Sequence, residues 1–171
     1  MTAWLAVASA EQVERGVRLG IVQTNHGKRS GIARMRPGDW LVYYSPHERR
    51  GDSAPLQAFT AIGRVADDEL WQADEGSFTP WRRRVGYRTD ARRVGITEVR
   101  ERLDLTSHAD RGHQLRRGLL ALTDNDATVL QAAMTGDPPP PRAENTPEGV
   151  SGPPPVADLR TDRPAPQESL W

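Results

Sequence analysis

Residues 4–9 open the chain with a short apolar run, Trp-Leu-Ala-Val-Ala, closed by Ser9, and a run of that length bounded by polar positions predicts a buried strand. Ser9 with Gln12 three residues on has the spacing of a capping box, so a helix is expected from there through about Gly16. Residues 23–30 are polar with small residues among them, an exposed loop, and Ser30 is placed to cap a single turn ending near Met35. Arg36-Pro37-Gly38-Asp39 is turn chemistry, because proline pre-sets φ and glycine tolerates positive φ, and the β-rich run at 40–45 after it predicts a second strand. Positions 56–65 alternate with period two and predict a third. An acidic segment at 67–75 carries Trp71, Gly76 marks a turn, and 78–87 predicts a strand bearing Arg82, Arg83 and Arg84. A helix is expected at 97–103, a loop at 106–112 and a strand at 114–122. Thr123 with Asp126 then caps a helix to Met134 with Val129, Leu130 and Ala133 inward. Five or so strands with three short helices predict an α+β domain around a curved or closed sheet.

The periodicity stops at residue 136. Ten of the 14 prolines lie between Asp137 and Trp171, and that composition predicts a disordered Pro-rich tail at 137–171 behind one domain at 1–136. The terminal Leu170-Trp171 could anchor a protein partner. The boundary also resolves the charge: 23 basic and 23 acidic residues cancel overall, but the body carries 20 against 17 and the tail 3 against 6. Of the 23 basic residues 22 are arginine, whose planar guanidinium can fork onto phosphate oxygens, so the body is compatible with an anionic partner. With a mean hydropathy of −0.68 and no apolar run of about 18 residues, no membrane-spanning helix is expected. The absence of cysteine excludes a disulfide framework and thiolate sites, and without a charged-then-apolar leader after Met1 a cytoplasmic protein is expected.

The four histidines, His26, His47, His108 and His113, lie in polar loops or at strand starts without helical pairing, so no metal site is expected. The sequence lacks a GxSxG elbow, a GxxxxGK[ST] loop and a GxGxxG turn, so neither a hydrolase nor a nucleotide-dependent enzyme is expected, and no catalytic residue or cofactor can be named. Aromatic residues are more informative, since nine of the ten precede residue 88 among polar or basic neighbours. Trp4, Trp40, Tyr43 and Phe59 read as core. Trp71, beside Asp67, Asp68, Glu69 and Asp74, reads either as structure or as an accessible stacking face. An aromatic wall near basic strands is what an unstacked base needs, stacking being worth roughly 1–3 kcal/mol per base.

Taken together, HGK at 26–28, RPGD at 36–39, VYYSP at 42–46, LQAFTAIGRV at 56–65, FTPWRR at 78–83 and QLRRG at 114–118 resemble the EVE domain family of the PUA-like superfamily, in order over about residues 3–134. The resemblance implies a small β-barrel flanked by helices, no catalysis and a pocket for a modified base. DNA carrying 5-methylcytosine or 5-hydroxymethylcytosine is the expected partner, with modified or structured RNA as the alternative and a small-molecule binder or scaffold as a third class. By the family layout, Ser9 and Gln12 would offer hydrogen bonds, Asn25, His26 and Lys28 would close one side, and Tyr44 with Ser45 would form the floor. Trp71 would stack with Phe78 and Trp81 behind it, and Arg82, Gln114 and Arg116 would make polar or phosphate contacts. The chain departs from the family at 111–113, where Arg-Gly-His replaces an aromatic before the QLR block, and at Trp71 and Trp81, which stand where smaller aromatics are usual.

Overall fold

The computed structural model describes residues 1–107, 115 and 118–137, so Gln114, Arg116 and the expected tail beyond Asp137 lie outside the described residues. The strands are β1 (Ala3–Val7), β2 (Ile21–Val22), β3 (Trp40–Ser45), β4 (Ala58–Val65), β5 (Trp71–Gln72), β6 (Trp81–Tyr87), β7 (Val94–Gly95) and β8 (Leu119–Leu122). The helices are α1 (Ala10–Leu19), α2 (Arg29–Ile32), α3 (Ile96–Val99) and α4 (Asp124–Thr135). Together the strands make one curled mixed sheet in the order β2-β6-β4-β3-β1-β8, with β5 added to β6 and β7 to β4. Only β1 and β3 run parallel within it. This is the α+β, PUA-like half-barrel flanked by short helices.

Period-two alternation sorts side chains onto two faces. Leu5, Val42, Tyr44, Phe59 and Ile62 build one core with Val99 of α3 and Leu130 and Met134 of α4. Trp4, Ala6, Leu41, Tyr43, Ala61 and Val85 build the other with Val13 of α1 and Ile32 of α2. Phe59 and Ile62 share a face despite their odd spacing because a β-bulge interrupts the register: Tyr43 pairs with Ala61 and Tyr44 with Phe59, leaving Thr60 over. The Thr60 hydroxyl bonds that of Ser45 at 2.7 Å.

The RPGD turn is a staple. Asp39, 4% exposed, accepts from the Trp4 indole and the Thr2 amide at 2.9 Å and from the Arg36 amide at 3.0 Å, joining the chain start to β3. At the other end of the domain the Thr123 hydroxyl accepts from the Asp126 amide at 3.1 Å and caps α4.

Local expectations differ from the structure where tertiary contacts intervene. Helix α1 runs on to Leu19, because Val17 continues its apolar stripe, and it ends at Gly20 with φ 64°. Ser9 occupies the N-cap position without capping. Instead the amides of Ala10 and Glu11 donate to the carbonyls of His47 and Glu48 at 3.1 and 3.0 Å, so the loop after β3 performs the task and leaves the Ser9 side chain free for other contacts. Ser30 lies inside α2, which Lys28 precedes, and the acidic segment around Trp71 contains β5. Two-residue strands such as β2 and β7 are too short to show a period at all.

Candidate functional site

A cavity of about 670 Å³ opens beside the second core, between α1, the loop after β2, the loop after β3 and the β5–β6 hairpin. Its volume is within the range of small-molecule sites, roughly 300–1,000 Å³. Apolar surface comes from Val7, Leu19, Ile21, Tyr43 and Phe78, and polar groups from Ser9, Gln12, Gln23, Thr24 and His26. Arg15, Arg49, Arg50 and Arg82 ring the mouth.

Several walls are fixed by identifiable contacts. The Ser9 hydroxyl donates to Gln12 Oε1 at 3.2 Å, and the Tyr43 hydroxyl to the Gln23 carbonyl at 3.3 Å. Burial pushes the Tyr43 phenol up to about 12, so it stays neutral and acts only through hydrogen bonding. Thr24 is 5% exposed, and its buried hydroxyl has no hydrogen-bond partner among the described residues. Such a group is costly in a folded protein unless something satisfies it. Next to it His26 adopts the left-handed region, φ 57° and ψ 36°, rare outside glycine and concentrated at functional sites. Gly27 follows at φ 77°, and a Cβ there would stand 2.6 Å from Pro80 Cβ and 3.2 Å from Phe78 Cζ, so the loop can press against this wall only as glycine. Phe78 itself keeps 39% of its surface exposed.

The three consecutive arginines of β6 diverge. Arg82 faces the cavity, donating from Nε to Gln23 Oε1 at 3.0 Å and pairing with Glu75 at 2.5 Å, an acid that Arg15 of α1 also meets at 2.5 Å. The Arg82 hydrogen bond is the main cause holding the Glu75 carboxyl below its ordinary value. Arg83 points inward, 3% exposed, and donates to the carbonyls of Met35 and Asp68. Arg84 lies outside over the Trp71 ring, 5.2 Å from its centroid, and pairs with Asp67 and Glu69.

Of the sequence-expected site residues, Ser9, Gln12, His26, Phe78 and Arg82 meet at this cavity. Tyr44 and Ser45 do not line it: Tyr44 packs on Phe59 in the opposite core with ring centroids 5.4 Å apart, and Ser45 is fully buried against Thr60. Trp71 and Trp81 are also outside the lining, half-buried, with Arg84 over one ring and Arg29 over the other at 5.4 Å. Lys28 is exposed beyond the lining, Asn25 contributes backbone to a 3-10 turn, and Gln114 and Arg116 lie outside the described residues. Residues not anticipated from sequence are Arg15, Gln23, Thr24, Tyr43, Arg49, Arg50 and Glu75. The Arg49-Arg50 pair in a loop was a visible signal; the others depend on which face each element presents. Among the described residues no group of three or more His, Cys, Asp or Glu could hold a metal ion, and no helix is long and apolar enough to cross a membrane.

The curled mixed sheet flanked by short helices has the PUA-like fold, and it carries a polar and aromatic cavity beside its first helix. Residues 2–130 match the EVE domain, and the chain belongs to that family. It is 52% identical to a UPF0310 protein of Renibacterium salmoninarum over 134 residues, 77% of this chain and 94% of that protein. A UPF0310 protein of Mycolicibacterium gilvum is 42% identical over 139 residues, 80% of this chain and 98% of the relative. Among solved structures, Rpa0253 from Rhodopseudomonas palustris shares the fold with a TM-score of 0.50 at 17% identity, covering 78% of this chain and 93% of that one. Membership of the EVE family points to a nucleic-acid-binding module.

Proposed function

We propose that the cavity receives a base turned out of a nucleic acid, and that the preferred ligand is a modified cytosine in DNA, 5-methylcytosine or 5-hydroxymethylcytosine. The observation that carries this is the combination at one site of an exposed aromatic ring, Phe78, and a buried unpartnered hydroxyl, Thr24, inside a ring of arginines. Extruding a base costs a few kcal/mol, which stacking and edge hydrogen bonds must recover. Phe78 offers the stacking face. Ser9, Gln12 and Thr24 offer edge hydrogen bonds, and Val7, Leu19 and Ile21 are apolar surface for an added methyl group. His26 and Arg82 close the sides, while Arg49 and Arg50, which have no ion pair among the described residues, are free for phosphates. Trp71 and Trp81, being outside the lining and covered by arginine, act in this reading as supports of the β5–β6 hairpin.

The test is a competition panel of short DNA and RNA oligonucleotides, each differing from its parent in one modified base, at low salt. Tighter binding of a modified-cytosine DNA, weakening as salt rises, is the expected result. Preference for a ribose-containing member would move the assignment to RNA, where the 2′-hydroxyl contributes. Equal affinity for every member would remove base reading altogether.

A further inference from the structure

Among the described residues lining the cavity, Glu75 is the only carboxylate, and it stands among the arginines Arg15 and Arg82. It sits on the β5–β6 hairpin, its amide donating to the Phe78 carbonyl at 2.9 Å. Its Oε1 accepts from Arg15 and Arg82, both at 2.5 Å. One oxyanion shared by two guanidinium groups from separate elements is the arrangement in which arginines clamp a phosphate. The two donors differ in how they are held. Arg82, with 12% of its side chain exposed, is oriented independently by Gln23, whereas Arg15, 57% exposed, meets no other partner among the described residues. Two positive charges against one negative leave the mouth of the cavity with a positive excess that a second anion can use.

We propose that Arg15 and Arg82 form a phosphate seat which Glu75 fills in the free protein and yields to an incoming phosphate oxyanion. The inference rests on reading the cavity as a nucleic-acid site, where that phosphate would be the one beside the turned-out base. Exchanging one oxyanion for another on the same donors leaves neither guanidinium unpaired. The exchange can leave the base wall in place, because Glu75 and Phe78 are bridged across the hairpin through their backbones and the Glu75 side chain can let go of the arginines without breaking that bridge. Free phosphate presents the same chemistry as a nucleic-acid phosphate, so both belong in the test.

The full chain and the variants E75Q, R15A/E75Q and R82A/E75Q are titrated at low salt with inorganic phosphate and with modified and unmodified oligonucleotides. E75Q removes the competing charge at nearly constant shape, so it should bind inorganic phosphate and both oligonucleotides about tenfold more tightly than the parent. The gain should vanish in both double variants, and in E75Q, which leaves the base-enclosing residues intact, the preference between modified and unmodified oligonucleotides should not move. The pair is near the surface, so the fold should survive the change. Should E75Q fold poorly, E75D withdraws the carboxylate by one methylene and should give the same direction of change at smaller size. A folded E75Q that binds phosphate and oligonucleotides no better than the parent overturns the proposal, as does a gain that persists without Arg15 or Arg82. A gain for phosphate and oligonucleotides alike, with no base preference in any protein, keeps the seat and removes base reading. A gain for inorganic phosphate alone keeps the seat as a free-phosphate site and removes the nucleic-acid assignment.

Discussion

Tyr43 and Tyr44 are neighbours on β3 with opposite environments. Tyr44 lies in a core packed with Phe59, Ile62 and the side chains of α4. Tyr43 lies in a core built partly from alanines, Ala6 and Ala61, under a short helix and a loop, and its hydroxyl ends at the cavity. The same strand therefore serves stability with one face and binding with the other. The difference is one of coverage: α4 spans Asp124–Thr135 over the first face, whereas α2 covers the second with only Arg29–Ile32 and the cavity fills what α1 and α2 leave uncovered.

If the Tyr44 face carries stability alone, its residues should be expensive to truncate and silent in recognition. Phe59 is fully buried, so Phe59→Ala should cost about 3–5 kcal/mol in denaturant unfolding. Any protein that remains folded should keep the parent's ranking of oligonucleotides. A change in that ranking would mean that the two faces are coupled.

The next effect in size concerns the staple that joins the chain start to β3. Asp39→Asn leaves one oxygen for donors that now meet two, and should cost about 2 kcal/mol at neutral pH. Burial pushes the Asp39 carboxyl up, but the Trp4 indole and the Thr2 and Arg36 amides outweigh it and hold the carboxyl below its ordinary value of 3.8. A group lowered in the folded state stabilises it above the unfolded value and loses that contribution as pH falls through the folded one. The gap between Asp39→Asn and the parent should therefore be complete above pH 3.8 and close on acidification below it, measured by urea melts across that range. A gap that does not change with pH would mean that the side chain acts by shape and not by charge.

On the open face the expectation inverts. Phe78→Ala should leave the melting temperature near that of the parent, since the ring is 39% exposed, while preference for the modified base falls about tenfold, within what one stacked base is worth. Trp71→Ala is the control. Its ring carries Arg84, so its loss should weaken the hairpin slightly and leave base preference in place. The reverse pattern would return the stacking role to Trp71.

How far the sequence could be read follows from the same contrast. Longer elements were legible because burial leaves a trace in them, an apolar run in β1, a β-rich run in β3, period-two alternation in β4 and the Thr123 cap with its inward residues in α4. The RPGD turn was legible as a turn, although not as the staple Asp39 makes of it, because its partners Thr2 and Trp4 are remote in sequence. For the site, five of the residues named from the motif resemblance, Ser9, Gln12, His26, Phe78 and Arg82, line one cavity. Facing was harder. Tyr43 and Tyr44 are equivalent in composition, and only the register of β3, with the bulge at Thr60, decides which one meets the cavity. Trp71 could be read as structure or as an accessible face because its neighbours are acidic; two of those acids, Asp67 and Glu69, hold Arg84 over the ring, and an ion pair between segments leaves no periodic trace.

The smallest effect tests the cavity most directly, through a residue that the fold would be better without. Thr24 buries a hydroxyl with no partner among the described residues, so Thr24→Val removes an unsatisfied group at nearly constant shape and should raise stability by about 1 kcal/mol. A gain of that sign at a wall of the cavity means that the hydroxyl is kept for something other than folding. If it meets the edge of a bound base, the same variant should bind the preferred oligonucleotide more weakly while general affinity for unmodified DNA holds. Paired melts and titrations on one preparation decide between the cases. A stabilised variant with intact recognition would take Thr24 out of the site, and a destabilised one would show that the hydroxyl is satisfied in solution.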